Sequence, residues 1–395
     1  MFKRIVIVFA GWLISANIFS QNIISEAEAV GMAVKNSRNI AASGLAVLQQ
    51  KQLLKSSFNF PNPDVFIESP TGKFYTGSIT QSIEFPSVYN KQFQLQKQRI
   101  VLAEKEKGLT ENEVKFQVKQ LYLMLQYAVA LQQQLYVQDT VYERISNVAG
   151  RQFDAGQIDY LQKTFAESQN GEIHNQFLQA KLTTSNLQSQ LQYLTGLQKS
   201  FMAEPLDTNP LIHFAITNDT SAYTSNPTVQ IFNQANVIAQ KNIALQKAKA
   251  LPGLAFGYFN QGERNTPFAN RFRVGFTVPL WFGQYRGNIN AAKTEEEITK
   301  QRTNGFKQQL SIQLLQANNQ LDIYTQSLQY YKSTGIPKAN EIISTAKRFF
   351  ESGESDYINY LRNINDAYSI QLKHLEAIRN YNQALLLINY LTGKL

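Results

Sequence analysis

Few residues in this chain have the type and spacing for covalent or metal chemistry. There is no cysteine among the 395 residues. That removes disulfides, thiolate metal sites, a cysteine nucleophile and a lipid-modified N-terminal Cys. The three histidines, His174, His213 and His374, are far apart. His174 and His374 fall in corresponding parts of the two halves, and a metal between them would need both rings on facing helices. Solvated helix-surface positions are the favoured reading. Met32, Met124 and Met202 are isolated, so no soft-ligand copper site is visible. No nucleophile elbow, P-loop, dinucleotide fingerprint or zincin motif occurs. Carboxylates are frequent, but no pair stands out for acid–base work. The expectation is a protein that is not an enzyme and has neither cofactor nor metal.

What stands out instead is a repeat. Residues 153–161 read Phe-Asp-Ala-Gly-Gln-Ile-Asp-Tyr-Leu, and residues 350–358 read Phe-Glu-Ser-Gly-Glu-Ser-Asp-Tyr-Ile, 197 positions later. Leu194-Thr195-Gly196 and Leu391-Thr392-Gly393 are separated by the same interval. A regular near-half-length repeat indicates a duplicated unit. Each copy of the first motif lies in a Gly-containing break between long helical patterns. Its glycine suits a chain reversal, and its Asp suits a cap or a contact.

The N-terminus has the form of a secretory leader. Lys3-Arg4 is basic, Ile5 to Phe19 is mostly apolar, and Ser20-Gln21 opens a polar stretch. Residues 1–20 are read as a signal peptide cleaved near Ser20. The apolar run is shorter than the ~20 residues of a spanning helix, which disfavours a retained anchor. Without Lys3 and Arg4 the 38 basic residues become 36 against 29 acidic ones, a net of +7. No block of like charges marks a nucleic-acid surface. No later apolar run approaches ~20 residues, so a membrane crossing would have to use strands closing into a barrel.

The elements that must position the repeat follow in order. Ser25, with Glu28 three residues on, predicts a helix start, and Asn36 opens a second helical run that Pro61 and Pro63 end. Residues 64–69 and 74–85 change period on either side of a Pro70-Thr71-Gly72 turn; in the second segment Tyr75, Ile79, Ile83 and Phe85 alternate with Thr76, Ser78, Thr80, Ser82 and Glu84, Gly77 and Gln81 being the weak members of the apolar face. From about Val88 to Ala149 the pattern is helical, with a heptad seam through Val114, Val118, Leu121, Leu125, Ala128 and Leu135 that carries Gln132 and Asp139 as polar members. A first break covers 150–156, within a tip at about 150–159. A helix from about Ile158 to Leu194 then ends at Gly196. Residues 197–225 read as an irregular connector with one short strand at Leu211–Thr217. Residues 226–395 repeat the order of 21–196. Asn226-Pro227 opens a helix to Lys249. Strands at about 254–282 follow, the second alternating from Phe272 to Phe282. The long helical pattern of Tyr285–Ser333 is broken at Gly335-Ile336-Pro337. A tip at about 347–357 precedes a final helix from about Ser355 to Leu391, with a seam of Leu361, Ile364, Tyr368, Leu375, Ile378 and Leu385 around polar Gln371 and Asn382.

Each half is therefore helix, two strands, long helix, break, long helix. Four strands cannot close a membrane barrel, which needs about eight or more; three copies of the chain would supply enough. Aromatic residues collect where strands become helices: Phe85, Pro86, Tyr89, Trp281, Phe282 and Tyr285. They are read as a membrane-interface girdle rather than corner packing.

This order resembles the TolC family of outer membrane efflux proteins. The residues that carry the resemblance are the two breaks, Phe153–Leu161 and Phe350–Ile358. The strand exits Ile83-Glu84-Phe85-Pro86 and Val278-Pro279-Leu280-Trp281-Phe282-Gly283 carry it too, with the Leu-Thr-Gly helix ends and the Asn36 and Asn226-Pro227 starts. The resemblance covers about residues 24–393. It implies a mainly α fold with a membrane β-barrel: a homotrimer with a twelve-stranded barrel in outer membrane lipid and a periplasmic α-helical barrel. It further implies the exit duct of a tripartite pump, joined through a periplasmic adaptor (membrane fusion) protein to an inner-membrane RND-type transporter. On that mapping Arg151, Gly156, Gln157 and Asp159 form the first adaptor-docking and gating tip, and Arg348, Gly353, Ser355 and Asp356 the second. Asn359 and Arg362 stand where some relatives carry acidic rings, which puts a cation-selective constriction in doubt. Small toxic solutes are the expected cargo, with a lean to heavy-metal cations. The alternatives are a type I protein secretion duct and a non-pore periplasmic coiled-coil protein.

Overall fold

The computed structural model describes residues 22–69, 72, 74–199, 201–208, 210, 222–260 and 267–395. The expected signal peptide, the expected strand at 211–217 and His213 lie outside them. The first half runs β1 (Asn22–Ile24), α1 (Glu26–Asn36), α2 (Arg38–Ser56), β2 (Asp64–Glu68), β3 (Thr76–Ile83), α3 (Pro86–Asp154) and α4 (Tyr160–Thr195). After β4 (Phe201–Ala203), the second half runs α5 (Ala222–Ser225), α6 (Pro227–Lys249), β5 (Gly253–Asn260), β6 (Phe272–Thr277), α7 (Phe282–Tyr330), a π-turn (Tyr331–Gly335), α8 (Ile336–Glu351) and α9 (Tyr357–Thr392).

Local chemistry sets the helix ends. Ser25 and Glu28 form a reciprocal capping box at α1. The expectation that Asn36 opens the next helix is corrected: Asn36 closes α1, and Ser37 caps α2 by accepting from the Ile40 N–H. Asn36 instead donates from Nδ2 to the Thr195 carbonyl at 2.6 Å. Its counterpart Asn226 does both jobs, capping α6 at the Val229 N–H and donating to the Leu391 carbonyl at 2.8 Å. Thus each Leu-Thr-Gly helix end is tied to the start of its half. Gly196 and Gly393 have φ of 73° and 68°, the left-handed cap conformation.

Four strands form one antiparallel sheet in the order β2-β3-β5-β6. The rungs Val65–Ile79–Tyr258–Phe272, Gln81–Phe256–Val274 and Ile83–Leu254–Phe276 lie on one face. The rung Asp64–Thr80–Gly257–Arg273 lies on the other, with Ser78 and Ser82. One face is therefore apolar and the other largely polar, as the alternation requires. Val65, Ile67, Phe272, Val274 and Phe276 are all exposed in the single chain. Among the described residues no strand lies beside the outer edges of β2 and β6. The second strand was expected to reach Phe282; it stops at Thr277, because Pro279 cannot donate to a ladder, and Phe282 begins α7. A second, two-stranded parallel pair joins β1 to β4 and was not foreseen.

The helices form a long array rather than one packed ball. α3 has 69 residues, roughly 100 Å at about 1.5 Å per residue. Its seam holds: Val118, Leu125, Ala128 and Leu135 are buried, as are Leu361, Ile364, Tyr368, Leu375 and Ile378 of α9. The core is a string of clusters along the array. Ala29, Ala33, Val118, Tyr122, Leu125 and Leu191 form one. Leu321, Leu328, Leu375, Ile378 and Tyr381 form another. Among the described residues no helix is long and apolar enough to cross a membrane.

Two expected breaks move. The tip breaks are shorter than the sequence suggested, because α3 continues through residues 150–154 and α8 through Glu351. Gly335-Ile336-Pro337 does not break its helix. The π-turn widens the backbone just before Pro337, whose ring would otherwise collide with the carbonyl four residues back.

Candidate functional site

The repeated motif forms two helical hairpin tips of nearly the same construction. At the first, α3 ends at Asp154, and Gly156 turns the chain with φ of 72°. The Gly156 N–H donates to the Phe153 carbonyl at 2.9 Å, and the Gln157 N–H to the Gln152 carbonyl at 2.8 Å. These bonds satisfy carbonyls that the helix end leaves open. Asp159 then caps α4 by accepting from the Gln162 N–H at 2.8 Å. At the second tip Gly353 has φ of 76°, and the Glu354 N–H donates to the Phe349 carbonyl at 2.9 Å. Asp356 caps α9, accepting from the Asn359 N–H at 2.8 Å and from Asn359 Nδ2 at 3.1 Å. The Asp-Tyr of each motif is thus the N-cap and first residue of a helix. The sequence placed these helix starts two residues too early, at Ile158 and Ser355.

The structure brings both tips to the same end of the array. One cluster joins Tyr142, Ile145 and Ala149 of α3, Ala166 and Ile173 of α4, and Ala346 of α8 to Tyr357, Tyr360, Leu361, Ile364 and Tyr368 of α9. Around it Arg151, Gly156, Gln157, Asp159, Arg348, Gly353, Asp356, Asn359 and Arg362 are exposed, and Ser355 is half-buried. Arg151 and Arg348 sit in the last turns of α3 and α8 rather than in the breaks. This end of the array therefore mixes both signs of charge on a capped frame.

The tips differ in what they hide. Tyr160 is 69% exposed and Leu161 65%, whereas the corresponding Tyr357 is 4% exposed. Phe350 stacks on Tyr360 with ring centroids 4.6 Å apart and meets Tyr357 edge-on. At the first tip Phe153 meets only the edge of Tyr160, under the Lys163 ammonium. Tyr368 of α9 was read from the sequence as a seam residue; Tyr357 and Tyr360, buried in the same cluster, and their shared core with Tyr142 were not. Burial pushes the Tyr142, Tyr360 and Tyr368 hydroxyls up from their ordinary pKa.

At the opposite end, the strand exits carry the aromatic residues. Trp281 is 82% and Phe282 70% exposed, Phe85 is also exposed and Tyr285 is half-buried. Tyr89 departs from the set. It is buried, its hydroxyl accepts from the Glu84 N–H at 3.0 Å, and its ring packs on Phe60. It holds the corner between strand and helix.

Of the three histidines, His174 and His374 are described, and their surroundings differ. His174 Nδ1 lies 3.2 Å from both Asp139 carboxylate oxygens on the α3–α4 surface. His374 is not solvated as expected; it is half-buried in α9 near the Tyr331 ring. No cluster able to hold a metal occurs among the described residues.

Residues 220–394 match the family model of the outer membrane efflux protein. The cobalt-zinc-cadmium resistance protein CzcC of Cupriavidus metallidurans is 24% identical over 265 residues. That match covers 64% of this chain and 60% of the relative, less than two thirds of its length. Solved structures share the fold over nearly the whole chain. A membrane protein from Pseudomonas aeruginosa superposes with a TM-score of 0.78 at 14% identity, covering 95% of this chain and 91% of that one. The CmeC outer membrane channel of Campylobacter jejuni gives 0.73 at 17% identity, covering 93% and 85%. The duplicated tips, the four-stranded sheet and these likenesses agree: residues 220–394 carry an outer membrane efflux protein domain, and the chain as a whole has the fold of solved outer membrane channels.

Proposed function

We propose that this chain is the passive outer membrane duct of a tripartite efflux system. One observation carries the reading. A four-stranded sheet has an apolar face and, among the described residues, two unpaired edges, and it is mounted on helices of which α3 is roughly 100 Å long. A sheet of this kind is stable in a membrane only when its edges are paired. Three copies pairing β6 of one with β2 of the next make a closed barrel of twelve strands, all antiparallel. The apolar face meets lipid, and the face carrying Ser78, Thr80, Ser82 and Arg273 lines water. Trp281, Phe282 and Phe85 lie at the periplasmic membrane boundary.

The tips are the periplasmic mouth. A periplasmic adaptor engages the exposed residues around Gly156 and Gly353, and through it an inner-membrane transporter of the RND type delivers cargo. The tip helices then open. The likeness to a cobalt-zinc-cadmium resistance protein favours divalent heavy-metal cations as cargo. Asn359 and Arg362, exposed on the first turns of α9, supply no acidic ring to select them. Cargo choice then rests with the transporter.

Outer membrane fractionation and planar-bilayer recording of the purified protein test the duct. Discrete conductance steps from an outer membrane trimer are expected; a periplasmic, non-conducting protein would overturn the reading. Deleting the gene should raise sensitivity to zinc, cobalt or cadmium ions. Unchanged metal tolerance with lost export of a protein substrate would move the assignment to a secretion duct.

A further inference from the structure

The polar face of the sheet holds two aromatic rings that water does not call for. By the strand register, Phe66, Ser78 and Phe259 form one rung of that face. Elsewhere on it, β3, β5 and β6 place Ser, Thr, Gly and Ala, with Arg273 as the one long side chain among the described residues. A ring facing water leaves apolar area unburied, and Phe66 is 52% exposed. The two rings are two strands apart, so their Cα atoms are separated by about 10 Å. Between them Ser78 offers only a short hydroxyl floor. A flat group wedged between two rings needs about 7 Å, two contacts of about 3.5 Å each. The rung is therefore a slot with room for one planar group.

Charge decides what the slot takes. Asp64 and Glu68 stand two residues to either side of Phe66, on the same face of β2, and both are exposed. The guanidinium of Arg273 is seated over the Phe259 ring, 4.2 Å from its centroid. It reaches there from β6, opposite Gly257, which has no side chain to block it, and so leaves the Ser78 side of the rung free. This face thus already holds one planar cation on one aromatic ring. Phe66 is a second such ring, with two carboxylates in the place of the arginine. An anion entering the slot would meet Asp64 and Glu68. A bare metal ion would find these two carboxylates about 13 Å apart along the strand, too far to share it, and no metal-holding cluster occurs among the described residues.

We propose that the Phe66–Ser78–Phe259 slot, flanked by Asp64 and Glu68, is a binding site for planar organic cations such as aryl amidinium ions. The ring of the ligand stacks between Phe66 and Phe259, and its charge faces the carboxylates of β2. The slot lies toward the strand ends farthest from the helices, so three copies of it look into the outer part of the proposed barrel. There it holds an organic cation on its way out, a passenger chemically unlike a hydrated metal ion. Its position in a water-filled lumen rests on the proposed duct; the binding itself does not.

A ligand-observed NMR titration of the intact, detergent-solubilised protein with benzamidinium tests the site. Neutral benzamide, of the same shape, should bind at least about fivefold more weakly. Phe66→Leu keeps an apolar side chain but removes the ring face, and should weaken benzamidinium by about fivefold. The double variant Asp64→Asn, Glu68→Gln should do the same while leaving the rings in place, and it decides the matter if Phe66→Leu does not assemble. Equal binding of benzamide, or unchanged benzamidinium binding by the assembled variants, would overturn the proposal. So would tighter binding of benzenesulfonate, which would put Arg273 rather than the carboxylates in charge. If the wild-type protein binds benzamidinium but conducts nothing in a planar bilayer, the duct fails and the site stands. If it conducts and does not bind, the site fails and the duct stands.

Discussion

Five described glycines have positive φ, yet they are not equally constrained. At Gly156 and Gly353 a Cβ would meet nothing within 4 Å. Alanine there carries only the left-handed backbone cost, about 1–2 kcal/mol. At Gly393 a Cβ would also overlap the Ser225 backbone carbonyl, so Gly393→Ala should lower the melting temperature more than Gly156→Ala or Gly353→Ala. A bulky residue at either tip glycine should instead leave the barrel assembled and abolish export, read as metal or drug tolerance in a strain without paralogues. A second residue-scale effect concerns pH. Burial holds the His374 pKa below its ordinary value of 6.5. The unfolded chain therefore takes up this proton at higher pH than the folded one. The resulting stability is present above pH 6.5 and is lost as pH falls toward the lowered value. His374→Phe should flatten the dependence of melting temperature between about pH 7.5 and pH 5. The lone histidines were readable in the sequence, but their surroundings were not. His374 looked solvated because its neighbour, the Tyr331 ring, comes from a different helical segment, which no local pattern around His374 signals.

At the scale of elements, most of the fold was legible because two periods differ so plainly. The 4-3-4-3 seam of α3 and the alternation of Ile79, Ile83, Leu254, Phe256 and Phe272 each have one physical reading. What failed were ends set by a single atom or a tertiary contact. Ser37 caps α2 because the Asn36 side chain is taken by Thr195, 159 positions away. β6 ends at Thr277 because Pro279 lacks an N–H. The Asn pair makes a quantitative test. Asn226→Ala removes both a cap and the tie to Leu391, whereas Asn36→Ala removes only the tie to Thr195. The first should cost about 1 kcal/mol more, the usual worth of an N-cap, measured by thermal melting of the detergent-solubilised protein. The tips were legible as turns from Gly156 and Gly353, but the same sequence motif concealed opposite packing of Tyr160 and Tyr357.

On the scale of the whole molecule, the sheet dictates where the protein can reside. Its two faces respond to charge in opposite ways. Val274→Lys on the apolar face should cost about 2–4 kcal/mol at mid-membrane depth and block assembly. Ser82→Lys on the polar face should assemble normally and change conductance. Loss of assembly in both would argue that neither face is wet. The inequality of the tips has its own consequence for assembly. In the proposed trimer six hairpins ring the mouth, but three present an open Tyr160–Leu161 surface and three have the matching Tyr357 sealed inside. The ring then has threefold symmetry in a place where its backbone looks sixfold. A partner built from six identical copies would have to bind in two alternating postures, three copies against a bare aromatic and three against a closed one.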